Sequence, residues 1–169
     1  MLIQQNVGLN GSNAFNRSWA EFKVGFNDSK GNYWLGNDLL SQLTVNGSYK
    51  LRFDLRARAG NGTWYYAEYR SFIVFSESYN YRLHVSGYSG NAGDALSYQN
   101  GMMFTTYDRD NDPWTDSRYN NNCAVHRGGG FWYKDCGWCK VNGVSGGFEW
   151  FRPRTGWYEL QSTRMWMTC

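Results

Sequence analysis

Proline is scarce: the 169-residue chain holds two, against twenty glycines. Long proline-rich linkers are thereby excluded, and the many turns must be made by glycine and asparagine. No run of eighteen apolar residues occurs, so no helical membrane span is written into the chain. No basic run of five occurs either; the arginines are scattered and the net charge is only +3, which argues against nucleic-acid or membrane-surface binding. The opening Met1-Leu2-Ile3-Gln4-Gln5 is too short and polar for a secretory leader. Histidine is nearly absent, at His84 and His126, and no cysteine precedes Cys123.

Aromatic residues are abundant instead. They make up 19% of the chain, with nine Trp and thirteen Tyr. A core built from rings must also satisfy indole N–H and phenol O–H groups, so it is expected to sit among polar loops. The length suits one domain.

Residues 1–16 are polar and carry little periodic signal. Arg17–Phe26 reads as a short amphipathic helix, with Trp19, Phe22 and Phe26 near helical spacing. Asn37 to Leu43 reads as a second, with Asn37 as its cap. The period then changes to two. Leu51, Phe53 and Leu55 alternate with Arg52, Asp54 and Arg56, the mark of a half-buried strand. Gly60-Asn61-Gly62 is a turn, and strands follow over Trp64–Tyr69, Ser71–Phe75 and Tyr81–Val85. From Asn91 onward the chain reads mostly as loop, and loops this long are held by crosslinks or metals or serve function.

Asp108, Asp110 and Asp112 alternate within five residues. Three carboxylates this close repel one another, and a bound calcium, which favours oxygen ligands, removes that cost. An EF-hand is excluded, because its sixth position would be Pro113 and its twelfth Tyr119. On spacing alone, a loop-only calcium site stands beside a solvated acidic turn.

The four cysteines, Cys123, Cys136, Cys139 and Cys169, allow three pairings. Cys123 and Cys136 flank a loop containing Gly128-Gly129-Gly130, which is short and flexible enough to close into a disulfide. Cys136-Gly137-Trp138-Cys139 lacks a second pair for zinc and a βαβ setting for redox work. Five glycosylation sequons begin at Asn10, Asn16, Asn27, Asn46 and Asn61. With the cysteines they point to an extracellular setting, so the protein is expected to be secreted. No nucleophile–base pair or paired-carboxylate cleft motif stands out, and the chain is not expected to be an enzyme.

Many segments, in unbroken order from about Asn6 to Met167, resemble the fibrinogen C-terminal (fibrinogen-related) domain family, in a ficolin- and tachylectin-like form. They include Trp19–Phe26, Tyr33–Asp38, Ala67–Phe72, Tyr81–Leu83, Gly87–Asp94, Phe104–Asp112, Asn122–Ala124, Phe131–Cys136, Asn142-Gly143 and Glu149-Trp150. The resemblance implies an α+β fold: a central twisted antiparallel sheet with short helices, then a loop-rich calcium- and ligand-binding part. One domain spans 1–169, divided near residue 100. Calcium would be held by the side chains of Asp110 and Asp112 and the carbonyls of Trp114 and Asp116, with Asp108 assisting from behind. The family disulfide maps to Cys123–Cys136.

The resemblance also implies a ligand pocket beside that disulfide, formed by Arg127, Trp132, Tyr133, Asp135, Cys136, Gly137, Val144 and Ser145, and shaped by a cis peptide at Asp135–Cys136. Several positions depart from the family pattern. Arg127 replaces a residue that is often Tyr or Asp, Gly137 replaces a frequent His, and the 142–149 segment is short. Ser117–Asn121 is an insertion, and the family's first disulfide is missing. Arg127 would favour an anionic ligand. Cys139 and Cys169 are extra and are expected either to pair with each other or to bridge chains in a homo-oligomer. The implied function is calcium-dependent recognition of acetylated or anionic glycans. The alternative is a protein-binding signalling or adhesion domain, angiopoietin- or tenascin-like, that engages a protein receptor.

Overall fold

A computed structural model describes residues 1–8, 13–59, 62–144, 148–153 and 155–169. The elements in chain order are β1 (Leu2–Asn6), α1 (Trp19–Val24), β2 (Phe26–Asn27), β3 (Tyr33–Trp34), α2 (Asn37–Asn46), β4 (Lys50–Ala57), β5 (Trp64–Val74) and β6 (Leu83–Gly90). They continue with β7 (Phe104–Thr105), α3 (Cys123–Arg127), β8 (Phe131–Trp132), β9 (Cys139–Lys140), β10 (Glu149–Arg152) and β11 (Gly156–Thr168). The main sheet runs β2-β3-β1-β11-β4-β5-β6, with β10 and β9 added alongside β11. All of its pairings are antiparallel. The α+β architecture expected from the sequence is present.

The β4 strand shows why the sheet was legible. Leu51, Phe53, Leu55 and Ala57 are buried, while Arg52, Asp54 and Arg56 face outward. The two strands expected over Trp64–Tyr69 and Ser71–Phe75 are one strand, β5. Its burial phase slips between Tyr69 and Phe72, opposite Gly87, whose φ of +75° few other residues adopt. The tip of the β4–β5 turn, Gly60 and Asn61, lies outside the described residues, as does the sequon that begins at Asn10. The other three sequon asparagines, Asn16, Asn27 and Asn46, are exposed.

The helices are tighter than expected. Ser18 caps α1 through a reciprocal capping box with Glu21. Gly25 ends the helix at φ +91°, where a Cβ would lie 2.5 Å from the Leu35 carbonyl oxygen. In α2 the cap is Gly36 rather than Asn37. Asn37 is the first helical residue, and its Oδ1 accepts a hydrogen bond from Trp34 Nε1 at 3.1 Å.

The largest correction concerns the C-terminal part. Loops do dominate as far as Phe148, but the last strands were missed: β11 runs thirteen residues and lies between β1 and β4 in the centre of the sheet. A register irregularity between Leu160 and Ser162 shifts its inward positions from Leu160 to Thr163, Met165 and Met167. That slip breaks the alternation that would have marked it as a strand. Similarly, β1 buries Gln4 and Asn6, which a hydrophobic pattern does not reveal. Gln4 Nε2 donates to the Val141 carbonyl, to Asn142 Oδ1 and to Thr163 Oγ1, and Asn6 Nδ2 donates to the Val141 carbonyl. This buried polar network fixes the 141–142 segment to the sheet.

Beneath the sheet, Phe22, Trp34, Phe104 and Trp132 form one aromatic cluster with ring centroids 5.0–6.1 Å apart. Rings in tilted and edge-to-face contact gain beyond their area burial. This cluster joins α1 and β3 to the β7–β8 ladder, and that ladder carries the candidate site. Among the described residues, no helix is long and apolar enough to cross a membrane, which says nothing of a β-barrel.

Candidate functional site

The ladder pairs Phe104 with Trp132 and Thr105 with Phe131. The acidic loop leaves β7 and is anchored at once. Asp108 Oδ1 accepts from the Trp19 backbone N–H at 2.9 Å and from Thr106 Oγ1 at 2.7 Å. The Arg109 guanidinium lies 4.0 Å from the Trp19 ring centroid. Glu77 accepts from Trp19 Nε1 at 2.7 Å and from Lys23 Nζ. Asp108 therefore ties the loop to the start of α1. Trp19, Glu77 and Arg109 are part of that anchor. Sequence reasoning missed it because its members are far apart in the chain.

Asp110 and Asp112 come together. Asp110 Oδ1 accepts from the Asp112 backbone N–H at 3.2 Å. Asp112 Oδ1 accepts from Trp114 N at 3.0 Å, and its Oδ2 accepts from Cys123 N at 3.0 Å. The loop is thus bonded directly to the first residue of α3. Burial, with the neighbouring Asp110 carboxylate adding to it, pushes the Asp112 carboxyl up to about 6, and the two backbone N–H groups only partly oppose this.

The expected backbone ligands divide. The Trp114 carbonyl accepts no hydrogen bond among the described residues. The Asp116 carbonyl already accepts from Tyr119 N and Asn121 N, each at 3.0 Å. The Asp116 carboxylate accepts from Arg118 N at 3.0 Å and pairs with the Arg118 guanidinium at 2.6 Å. The Ser117–Asn121 segment causes this, because its 3-10 turn over Ser117–Tyr119 uses Asp116 as the cap. Among the described residues, no group of three or more His, Cys, Asp or Glu side chains is placed to hold a metal.

The Cys123–Cys136 disulfide is formed, with the α-carbons 5.0 Å apart. Asn122 caps α3 by accepting from Ala124 N and Val125 N at 2.7 and 3.1 Å. Gly128 ends the helix in the left-handed region. At Gly129 a Cβ would lie 2.0 Å from the Asn142 carbonyl oxygen, so this glycine is required by close approach. The glycine run therefore does what the sequence suggested and lets the disulfide loop fold back.

The expected cis bond at Asp135–Cys136 is absent, since no cis peptide occurs among the described residues. The chain reverses there through consecutive left-handed residues, Asp135 at φ +46° and Cys136 at φ +56°. Trp132 and Tyr133 do not wall a pocket. Both are wholly buried; Trp132 Nε1 donates to the Tyr81 carbonyl at 2.7 Å and Tyr133 OH to the Gly129 carbonyl at 2.5 Å. Cys136 is buried too. Gly137 packs against the Gln99 side chain, whose Oε1 accepts from Cys139 N at 2.6 Å. Asp135 Oδ2 accepts from Tyr98 OH at 3.2 Å. Val144 is half-buried against Gly128. Ser145 lies outside the described residues.

Arg127 is half-buried, and its Nε has no hydrogen-bond partner among the described residues. The same is true of His126 Nδ1. Burial, with Arg127 and Lys140 nearby, pulls the His126 imidazole below its usual range. Lys140 is 4% exposed, pairs with Glu149 at 2.9 Å, and lies 3.7 Å from the Trp157 ring centroid. Cys139 is a buried free thiol and Cys169 an exposed one, so the expected second pairing within the chain is not made. Cys139 is held inside by the β9–β10 pairing, whereas Cys169 lies past the end of β11.

Beside the disulfide helix α3 is an open groove of about 360 Å³ lined by Asn16, Tyr107, Val125 and Gly128. Tyr107 is 47% exposed and Val125 38%. Neither residue was singled out from the sequence. Both precede or follow a predicted site residue by a short step, and that proximity was the only available signal.

The family model described as fibrinogen beta and gamma chains, C-terminal globular domain, matches residues 1–169. The chain belongs to that family. It is 40% identical to tenascin of Gallus gallus over 162 residues, which covers 92% of this chain and 8% of that protein. The fibrinogen-like globe domain of human ANGPTL2 superposes with a TM-score of 0.85 at 37% identity, covering 99% of this chain and 78% of that one. Lamprey fibrin D-dimer, solved with the peptide ligand Gly-His-Arg-Pro-amide, gives a TM-score of 0.79 at 29% identity, covering 98% and 60%.

Proposed function

We propose that this is an extracellular recognition domain that binds a protein or peptide partner at the groove beside α3, and that a calcium ion held by Asp110 and Asp112 orders the groove's neighbouring loop. The observation that carries the reading is the exchange of surfaces around the disulfide. Trp132 and Tyr133, expected to wall an acetyl pocket, are used up in the core, while Tyr107 and Val125 stand exposed around an open groove. Aromatic and aliphatic anchors at a groove suit a polypeptide side chain. The lamprey relative's bound peptide is in keeping with this. Nothing in the reading requires catalysis.

Calcium fits two of the four expected ligand residues by side chain. Asp110 and Asp112 place two carboxyls together, and among the described residues no cationic side chain is paired to either and no donor takes up the Trp114 carbonyl. Asp116 does not fit, because its carbonyl and carboxylate are both engaged. The ion would supply positive charge that removes the Asp110–Asp112 repulsion. Asp112 would then keep Cys123 and the start of α3 in place.

The sign of the pH dependence follows. The folded-state Asp112 carboxyl is raised from 3.8 to about 6, so without calcium the domain loses stability as pH rises across that window. Calcium binding requires the ionised pair and is expected to weaken steeply below about pH 6. Thermal melts at pH 4.5 and 7.5, with calcium and with chelator, check this. The calcium-induced rise should be large at 7.5 and small at 4.5. An Asp110→Asn, Asp112→Asn variant should show no calcium-induced rise at either pH; an undiminished rise would remove both residues as ligands.

A second reading, binding of an anionic glycan, is favoured by Arg127, whose Nε has no hydrogen-bond partner among the described residues. The two readings separate on parallel arrays of glycans and of extracellular protein ectodomains, probed with and without calcium. The protein reading expects calcium-dependent binding to ectodomains that falls at least tenfold in Tyr107→Ala, Val125→Asp, as for a missing anchor worth about 1.4 kcal/mol or more. Binding confined to sialylated or sulfated glycans, and abolished in Arg127→Ala, would replace it with the glycan reading.

A further inference from the structure

The outer face of the sheet lies away from the disulfide groove and has no part in the reading above. It carries the outward residues of β4, β5 and β11. Lys50, Arg52 and Arg56 project from β4, Arg70 from β5, and Arg164 from β11. Asp54 and Glu68 oppose them along β4 and β5. Glu159, on the far side of the β11 irregularity, is taken up by Arg58 at 2.9 Å. Asp54 is paired to Arg52 at 2.9 Å, and Lys50, Arg56, Arg70 and Arg164 make no ion pair among the described residues. A chain of net charge +3 therefore concentrates its excess on one surface.

The cations form a band rather than a scatter. Register places Arg164 opposite Asp54, between Arg52 and Arg56 and one strand over. Arg70 follows Tyr69, the partner of Leu51, and so stands beside Lys50. Lys50 to Arg56 spans about 20 Å at the usual strand rise. Two exposed rings lie along the band: Tyr66, with Arg52 4.7 Å from its centroid, and Trp64, with Arg56 at 5.9 Å and Arg164 at 5.8 Å. Trp64 is 45% exposed and Tyr66 37%. At one end, Lys50, Glu68, Arg70 and Ser89 border a groove of about 270 Å³.

We infer that this face binds a linear sulfated polysaccharide. Guanidinium groups are weakly hydrated and match sulfate oxygens bidentately, so free or ring-stacked cations in a line favour a chain of repeated sulfates. Exposed Trp and Tyr faces offer stacking surfaces for sugar rings. The face is a strand surface without a deep apolar slot, which suits an extended polyanion better than a peptide needing a side-chain anchor. The stacking of Arg56 and Arg164 on Trp64 holds both guanidiniums in place before binding and lowers the ordering cost.

The test uses the intact chain on immobilised heparin, chemically desulfated heparin and hyaluronan, with a poly-glutamate peptide as competitor. Retention is expected on heparin and not on the other two matrices. It should fall steeply with salt, and chelator should leave it unchanged, which separates it from the calcium-linked groove. Arg56→Glu, Arg164→Glu should weaken binding at least tenfold and lower the salt-dependence slope by about two, one for each arginine replaced. Lys50→Glu, Arg70→Glu should act in the same direction without touching the Trp64 stack, which covers a first variant that misfolds by near-UV circular dichroism. Lys30→Glu, in the exposed β2–β3 turn, should elute with the parent. Equal elution of parent and both face variants would overturn the inference. So would equal retention on desulfated heparin, or displacement by poly-glutamate as effective as that by heparin.

Discussion

Replacing Trp132 by alanine is expected to destabilise the domain by about 3–5 kcal/mol, the cost of deleting a large buried ring. The side chain is fully buried and touches Trp34, Phe104 and Phe131, with centroids 6.1, 5.1 and 5.1 Å away. Its loss would leave a cavity where α1, β3 and the β7–β8 ladder meet. It would also leave the Tyr81 carbonyl without its 2.7 Å donor. A urea denaturation curve checks this: the midpoint should fall well below the parent's with little change in slope. A variant of parental stability that no longer binds its ligand would return Trp132 to the ligand wall.

Removing the disulfide is the next largest expected effect. With a sequence separation of 13 between Cys123 and Cys136, Cys123→Ala, Cys136→Ala should cost about 3 kcal/mol on chain-entropy grounds. The loss should extend to the acidic loop. Asp112 holds the Cys123 backbone N–H, so freeing α3 from the 134–137 turn loosens one of the carboxyl's two partners. Calcium affinity is expected to fall together with stability, and saturating calcium to recover part of the melting temperature. Calorimetry at several calcium concentrations checks both. If the double variant binds calcium as the parent does, the loop is held by Asp108 and Arg109 alone.

Both predictions rest on residues whose roles were only partly written in the sequence. The alternation through Leu51, Phe53 and Leu55 announced β4 because every inward position is apolar. The disulfide was legible because the glycine run between its cysteines is chemically necessary, as the close approach at Gly129 requires. By contrast, β11 stayed hidden behind one register slip, and β1 behind two buried amides whose partners lie more than 130 residues away. The acidic loop is bonded to the start of the disulfide helix, in keeping with its place just before Cys123, but the use of Asp116 as a turn cap was not foreseen. That role depends on the 3-10 turn formed over Ser117–Tyr119. Trp132 stood among the pocket positions that the resemblance implies, although a tryptophan there is more often core, and it is core. Which side of a strand a ring faces is settled by its packing, here against Trp34 and Phe104, and no local pattern records it. The groove of Tyr107 and Val125 emerges only when residues from the acidic loop and from α3 are brought side by side.

The position of β11 has a further meaning for how the molecule comes into being. Its pairing with β1 joins residues 2–6 to residues 163–166, and its pairing with β4 closes the other side. Until β11 has been made, β1 and β4 are two separate pieces with open hydrogen-bonding edges facing an empty slot. Assembly of the sheet is therefore a late, long-range event, slow by contact order and exposed to wrong pairing during synthesis. For this domain the safeguarding of a half-built sheet falls to whatever chaperones meet the chain before β11 arrives.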